Sequence, residues 1–191
     1  MLLFRFPEGM LSKVVPLFLK RPLEQGGLGL SAIHYGTLYG TLGVVGLLAG
    51  GILGGILTNR YGQRRCFWPF ILAITLPDII YVGLSLWQPH SLWVIGSGVV
   101  LEQFGYGLGF TAYTLFLVSF SRGSHATAVF SICTAMQSLG MMLPGMVSGW
   151  LADTLGYTAF FWTVMACCLL TFAVSALASP QLSLGPEPAA P

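Results

Sequence analysis

A chain of 191 residues with 55% hydrophobic and only 7% charged residues is no ordinary soluble domain, in which about a quarter of residues are charged. Its mean hydropathy of +0.80 marks an integral membrane protein whose first partner is the lipid bilayer. The formal net charge of +2 is too small, and its basic residues too confined to short connections, for nucleic-acid binding.

Residues 1–19, MLLFRFPEGMLSKVVPLFL, are apolar but interrupted by Pro7, Pro16, Arg5, Glu8 and Lys13. At about 1.5 Å per residue they barely cross a hydrocarbon core of roughly 30 Å, which predicts a shortened or incomplete helix. The charges and the lack of a small-residue cleavage site speak against a signal peptide. Arg5 and Glu8, three residues apart, can pair along one face, with Lys13 pointing elsewhere. The segment either lines a polar path or lies at the membrane interface. A polar connection follows over 20–33, where Ser31 is placed to cap the next helix.

Five clearer spans are expected at 34–58, 66–87, 92–120, 126–151 and 156–178, broken at 59–65, 88–91, 121–125 and 152–155. Each is long enough to cross with some tilt. The expected fold class is therefore an all-α membrane bundle of six helices over 1–178, the first incomplete, with a disordered, proline-rich tail over 179–191. Arg60, Arg64 and Arg65 fall in the second connection and Arg122 in the fourth, while the third and fifth hold no Lys or Arg. Positive-inside bias then places the second and fourth connections, and the tail, in the cytoplasm. Lys20 and Arg21 weigh against it, partly offset by Glu24.

Span two is a glycine ladder, Gly36, Gly40, Gly43, Gly46, Gly50 and Gly54, a spacing that lets a neighbouring backbone come close. A sliding surface and static packing are both open readings. The span ends in a basic turn containing Gly55, Asn59, Arg60, Gly62, Arg64 and Arg65. The frame G-x-x-x-[ND]-x-x-G occurs twice, at Gly55–Gly62 and at Gly149–Gly156, the second copy carrying Asp153, 94 residues on. The copies close spans two and five, on opposite membrane faces in this orientation. That placement predicts a 3+3 inverted repeat.

Glu102 shares one face of span four with Gly98, Gly105 and Gly109 and so points away from lipid. An ionisable group within a span is a candidate functional group, here either for a coupling proton or as a structural hydrogen bonder. Asp78 follows Pro77, which bends span three and can open a polar pocket; a substrate or proton site and a structural role both fit. Gln103, Tyr106 and Gln137 add hydrogen-bonding groups that contact a polar solute or bridge helices. The cysteines Cys66, Cys133, Cys167 and Cys168 form no C-x-x-C pair and read as buried small hydrophobes. His34, His90 and His125 fall at span ends, so no metal site and no cofactor are expected. Neither a Ser-His-Asp set nor a phosphate loop is recognisable, and no enzyme is expected.

The basic turn fits the loop pattern G-x-x-x-D-R-x-G-R-R, shifted by one residue after Gly62 and with Asn59 in place of Asp; it resembles the hairpin of the major facilitator superfamily. FRFPEGMLSKVVPLFL (4–19), GGLGLS (26–31), YGTLYGTLGVVGLLAGGILGG (35–55), LEQFGYGLGFTAYTLFL (101–117), ICTAMQSLGMMLPGMVSGWLAD (132–153) and LGYTAFFW (155–162) resemble the muropeptide permeases of the AmpG type, grouped with the acetyl-coenzyme A transporters. The resemblance covers 4 to about 178 but only the C-terminal half of such a permease. It implies half of a twelve-helix secondary transporter that imports cell-wall sugar–peptides with protons across the bacterial inner membrane, and hence a fragment that lacks its N-terminal half. It also implies that Asn59 lacks the charge of the family's conformational latch. The rival readings are a non-transporting membrane scaffold or regulator, and a half-size transporter that works as a homodimer with a second copy.

Overall fold

Inside a bilayer each backbone amide needs an internal partner, so apolar runs fold as helices and break where glycine, proline or polar residues permit. The computed structural model is described for residues 5–121, 123 and 125–178. It contains α1 (Phe6–Lys20), α2 (Ala32–Tyr61), α3 (Gln63–Trp87), α4 (Leu92–Phe120), α5 (Ala126–Leu155) and α6 (Tyr157–Ala178). By length and composition, α2, α3, α5 and α6 can cross a membrane. Helix α4, with 29 residues, is about 44 Å long at ~1.5 Å per residue. Helix α1 has 15 residues, about 22 Å, and is short as expected. Residues 1–4, Arg122 and the tail 179–191 lie outside the described residues.

Two connections are tighter than their polar residues suggest. The breaks expected at 59–65 and 152–155 each contract to one glycine. Asn59 and Arg60 complete the last turn of α2, and Arg64 and Arg65 open α3. Gly62 takes φ 80°, ψ 150°, and Gly156 takes φ 79°, ψ 159°, a region in effect open only to glycine. Each glycine N–H closes the outgoing helix, Gly62 on the Thr58 carbonyl and Gly156 on that of Ala152, both at 3.0 Å. Each glycine carbonyl then receives the first bond of the incoming helix, from Cys66 N–H at 3.3 Å and from Phe160 N–H at 3.0 Å.

The packing carries the same repeat. Helix α4 packs on α2 and α3, and α1 packs on α5 and α6; α2 meets α3, α5 meets α6, and α3 meets α6. Exchanging α1 with α4, α2 with α5 and α3 with α6 maps these contacts onto themselves, including the smaller α1–α2 and α4–α5 pairs. The result is a 3+3 repeat in an all-helical bundle.

Local chemistry explains the remaining irregularities. The Ser31 hydroxyl accepts from His34 N–H at 3.2 Å and caps α2. Residues Gly36–Gly43 of α2 are π-helical. Pro77 lacks the N–H that the Ala73 carbonyl needs, and α3 tightens to a 3₁₀ turn over Leu76–Asp78. The freed carbonyl lies against Gly105 of α4, where an added Cβ would come within 2.0 Å of it. Gly50 is equally close to the Phe104 carbonyl and Gly107 to that of Leu47, so α2 and α4 touch backbone to backbone. Gly36 and Gly40 meet open space, and the ladder's contact with α4 starts only at Gly43.

Candidate functional site

A cavity of about 180 Å³ lies within the bundle, lined mainly by α1, α3, α4 and α6, with Tyr39 from α2 and Met141 from α5. Three acidic side chains share its wall: Glu8 of α1, Asp78 of α3 and Glu102 of α4. The local causes are separate. Glu8 follows Pro7 in the first turn of α1. Asp78 ends the 3₁₀ turn that Pro77 forces. Glu102 lies on the α4 face whose Gly98, Gly105 and Gly109 pack against Ile80, Ala73 and Ile74 of α3. The glycines bring α3 so close that a Tyr81 hydroxyl on α3 reaches the Glu102 carboxyl.

An ionisable group at membrane depth is costly unless it meets a partner, and each of these acids does. The Arg5 guanidinium pairs with Glu8 at 2.9 Å. Its Nη2 also donates to the Tyr106 hydroxyl at 2.9 Å. Arg5 is 1% exposed and lies 5.2, 5.4 and 5.8 Å from the ring centres of Tyr106, Phe110 and Tyr113, within cation–π range. Glu102 Oε2 accepts from the Tyr81 hydroxyl at 3.1 Å and from Gln103 Nε2 at 3.2 Å. Asp78 Oδ2 accepts from the Cys168 thiol at 3.7 Å. The second oxygen of Glu8, Oε1, is buried with no hydrogen-bond partner.

The structure thus brings Glu8, Asp78, Glu102, Gln103 and Tyr106 to one cavity and puts Arg5 directly behind Glu8. Gln137 is half-buried on α5 and is not part of the wall. Sequence reasoning missed Tyr39, Tyr81 and Cys168. Tyr81 follows Asp78 by three residues, a spacing that places both on one helix face. Cys168 stands in an apolar run and gives no such signal. Cys66, Cys133 and Cys168 are buried and, with Cys167, free thiols.

The two hairpins lie apart from the cavity. Asn59, Arg60, Arg64 and Arg65 are exposed, Gly55 is half-buried, and Arg60 lies over the Tyr61 ring at 5.6 Å. At the second hairpin Gly149 faces open space, and Asp153 forms an ion pair with Arg21, just beyond α1. That hydrogen bond raises the Arg21 pKa above its ordinary value. At the first hairpin Ser119 of α4 donates to the Gln63 side-chain oxygen at 3.3 Å.

The family model described as Major Facilitator Superfamily matches residues 1–190. The chain is 27% identical over 135 residues to the anhydromuropeptide permease of Escherichia coli, a match covering 71% of this chain and 27% of that relative. A putative transporter AmpG 4 of Rickettsia conorii is 22% identical over 159 residues, covering 83% of this chain and 36% of the relative. A putative multidrug resistance protein MdtD of Cronobacter sakazakii is 24% identical over 191 residues, covering 91% and 37%. The chain spans about a third of the length of the curated relatives it matches.

Proposed function

The chain belongs to the Major Facilitator Superfamily, and from that premise we propose that it forms half of a secondary active transporter that takes up a polar solute, such as a cell-wall sugar–peptide, together with protons. The observation that carries this reading is the cavity walled by Glu8, Asp78 and Glu102 inside an apolar bundle. Carboxyls held at membrane depth by neutral donors are suited to taking up and releasing protons as the path opens to either side. Glu102 and Asp78 are the coupling candidates. Glu8 is ion-paired with Arg5, and Gln103 and Tyr106 offer hydrogen bonds to the solute. The membrane is the bacterial inner membrane, with the first hairpin and the tail on the cytoplasmic side, as the arginines of the hairpin favour.

The second half of the path comes from another six-helix unit. Two outward faces support this: Val45, Leu48, Ile52 and Ile56 of α2, and Leu139, Met142, Met146 and Trp150 of α5, are exposed apolar stripes. An N-terminal half or a second copy fits them. The two hairpins differ in charge: Asn59 is neutral where its repeat counterpart Asp153 is ion-paired with Arg21.

Proteoliposomes under an imposed pH gradient test the reading with a radiolabelled anhydromuropeptide. Gradient-driven uptake is expected, with the gradient-driven component lost in Glu102→Gln. Uptake indifferent to the gradient and to that substitution rejects proton coupling. No uptake from well-folded protein, in any oligomeric state that crosslinking reveals, favours a non-transporting scaffold.

A further inference from the structure

We infer that the end of the bundle at the first hairpin binds an anionic glycerophospholipid, with Arg60, Arg64 and Arg65 holding its phosphate. This stands apart from the transport reading and does not depend on it. The two ends of the bundle treat their cations differently. At the end that carries the second hairpin, Arg21 is ion-paired with Asp153 and lies 5.9 Å from the Tyr157 ring centre. Lys20, at the same end, lies 5.1 Å from the ring centre of Tyr35. At the other end Arg60, Arg64 and Arg65 are exposed, and among the described residues none of them has an acidic partner. The placement of the acids is the cause. Glu8, Asp78 and Glu102 line the cavity inside the bundle, and Glu24 and Asp153 stand at the second-hairpin end. No acid of the described residues is left for the first hairpin, whose positive potential attracts anions.

Depth selects a lipid as the anion. Trp68 and Trp87 are both exposed on α3, 19 positions apart, which is about 28 Å at ~1.5 Å per residue. That span matches a hydrocarbon core of roughly 30 Å. Tryptophan favours the boundary between membrane and water, so the pair marks both boundaries, and exposed Trp93 at the start of α4 lies near that of Trp87. Arg64 and Arg65 open α3 about one turn outside Trp68, at the level of lipid phosphates. Arg60 ends α2 just across Gly62, with its guanidinium 5.6 Å from the centre of the exposed Tyr61 ring. A guanidinium presents a planar fork that fits two phosphate oxygens. A zwitterionic lipid carries its own cation beside that phosphate and competes with the arginines for it. A headgroup of net negative charge carries none.

Tryptophan quenching by brominated lipid reads the preference at each end separately, on the full chain in liposomes. One variant keeps Trp68 as its sole tryptophan and the other keeps Trp87, the rest being replaced by Phe. All five tryptophans are exposed, so these replacements leave no void. Brominated phosphatidylglycerol is compared with brominated phosphatidylcholine. At Trp68 phosphatidylglycerol is expected to be favoured about fivefold or more, and at Trp87 the two lipids are expected to quench alike. Arg60→Gln with Arg64→Gln and Arg65→Gln, checked for monodispersity, is expected to abolish the preference at Trp68. The comparison of the two ends decides the matter even where this triple variant fails to fold. Equal quenching by both lipids at Trp68, an equal preference at Trp87, or a preference that survives the triple substitution overturns the inference. So does a preference that inorganic phosphate removes and chloride of the same ionic strength does not, since the site then takes free phosphate.

Discussion

The α3–α4 contact and its repeat counterpart, α6–α1, occupy equivalent places and are built from opposite materials. On α4, Gly105 lies against the Ala73 backbone carbonyl of α3, and Gly98 and Gly109 leave room for the Ile80 and Ile74 side chains. Between α1 and α6 the contact is made by large rings: Phe18 lies 5.1 Å from Tyr157 and 5.0 Å from Phe161, and Phe18, Phe160 and Phe161 are almost fully buried. In lipid no hydrophobic drive separates the two solutions, since acyl chains are as apolar as side chains; both rest on van der Waals contact. One interface is smooth and the other interlocked. The repeat therefore preserves the path of the chain and leaves the means of packing free to differ.

Substitutions at matched places break the comparison by graded amounts. Phe161→Ala leaves a void among rings and is expected to cost the most, at the low end of about 3–5 kcal/mol, read as a lower unfolding midpoint in detergent. Gly105→Ala pushes a methyl onto the Ala73 carbonyl and should cost about 1–3 kcal/mol. Gly36→Ala, which meets open space, should leave the midpoint in place. Gly62→Ala and Gly156→Ala should each cost about 1–3 kcal/mol for a backbone region other residues avoid, and by similar amounts, because the two turns share one geometry. A large gap between them would show that the hairpins are not equivalent. Among the destabilising changes Asp153→Asn is the smallest, below about 1 kcal/mol for so exposed a pair, and the loss should shrink as salt is raised. A loss that ignores salt would assign the contact to packing.

What the sequence revealed and concealed follows from what periodicity measures. Spacing within one helix located the Arg5–Glu8 pair, the glycine face that carries Glu102, and both hairpin glycines, because each depends on residues close along the chain. It did not locate the Cys168 donor to Asp78, which stands 90 residues away, nor show that Gln137 leaves the wall. Counting 100° per residue also fails through Gly36–Gly43, where the π-helical winding turns less per residue. That drift detaches Gly36 and Gly40 from the ladder that Gly43, Gly46, Gly50 and Gly54 continue.

The hairpin turns have one further consequence. With a single residue between two helices, the joint at Gly62 or Gly156 is one Cα with two soft torsions, and it holds no slack. Helix α2 cannot advance along its axis without carrying the start of α3, and α5 is tied to α6 in the same way. Each pair is thus joined at a single pivot, and a change of angle between its two helices falls on that one glycine.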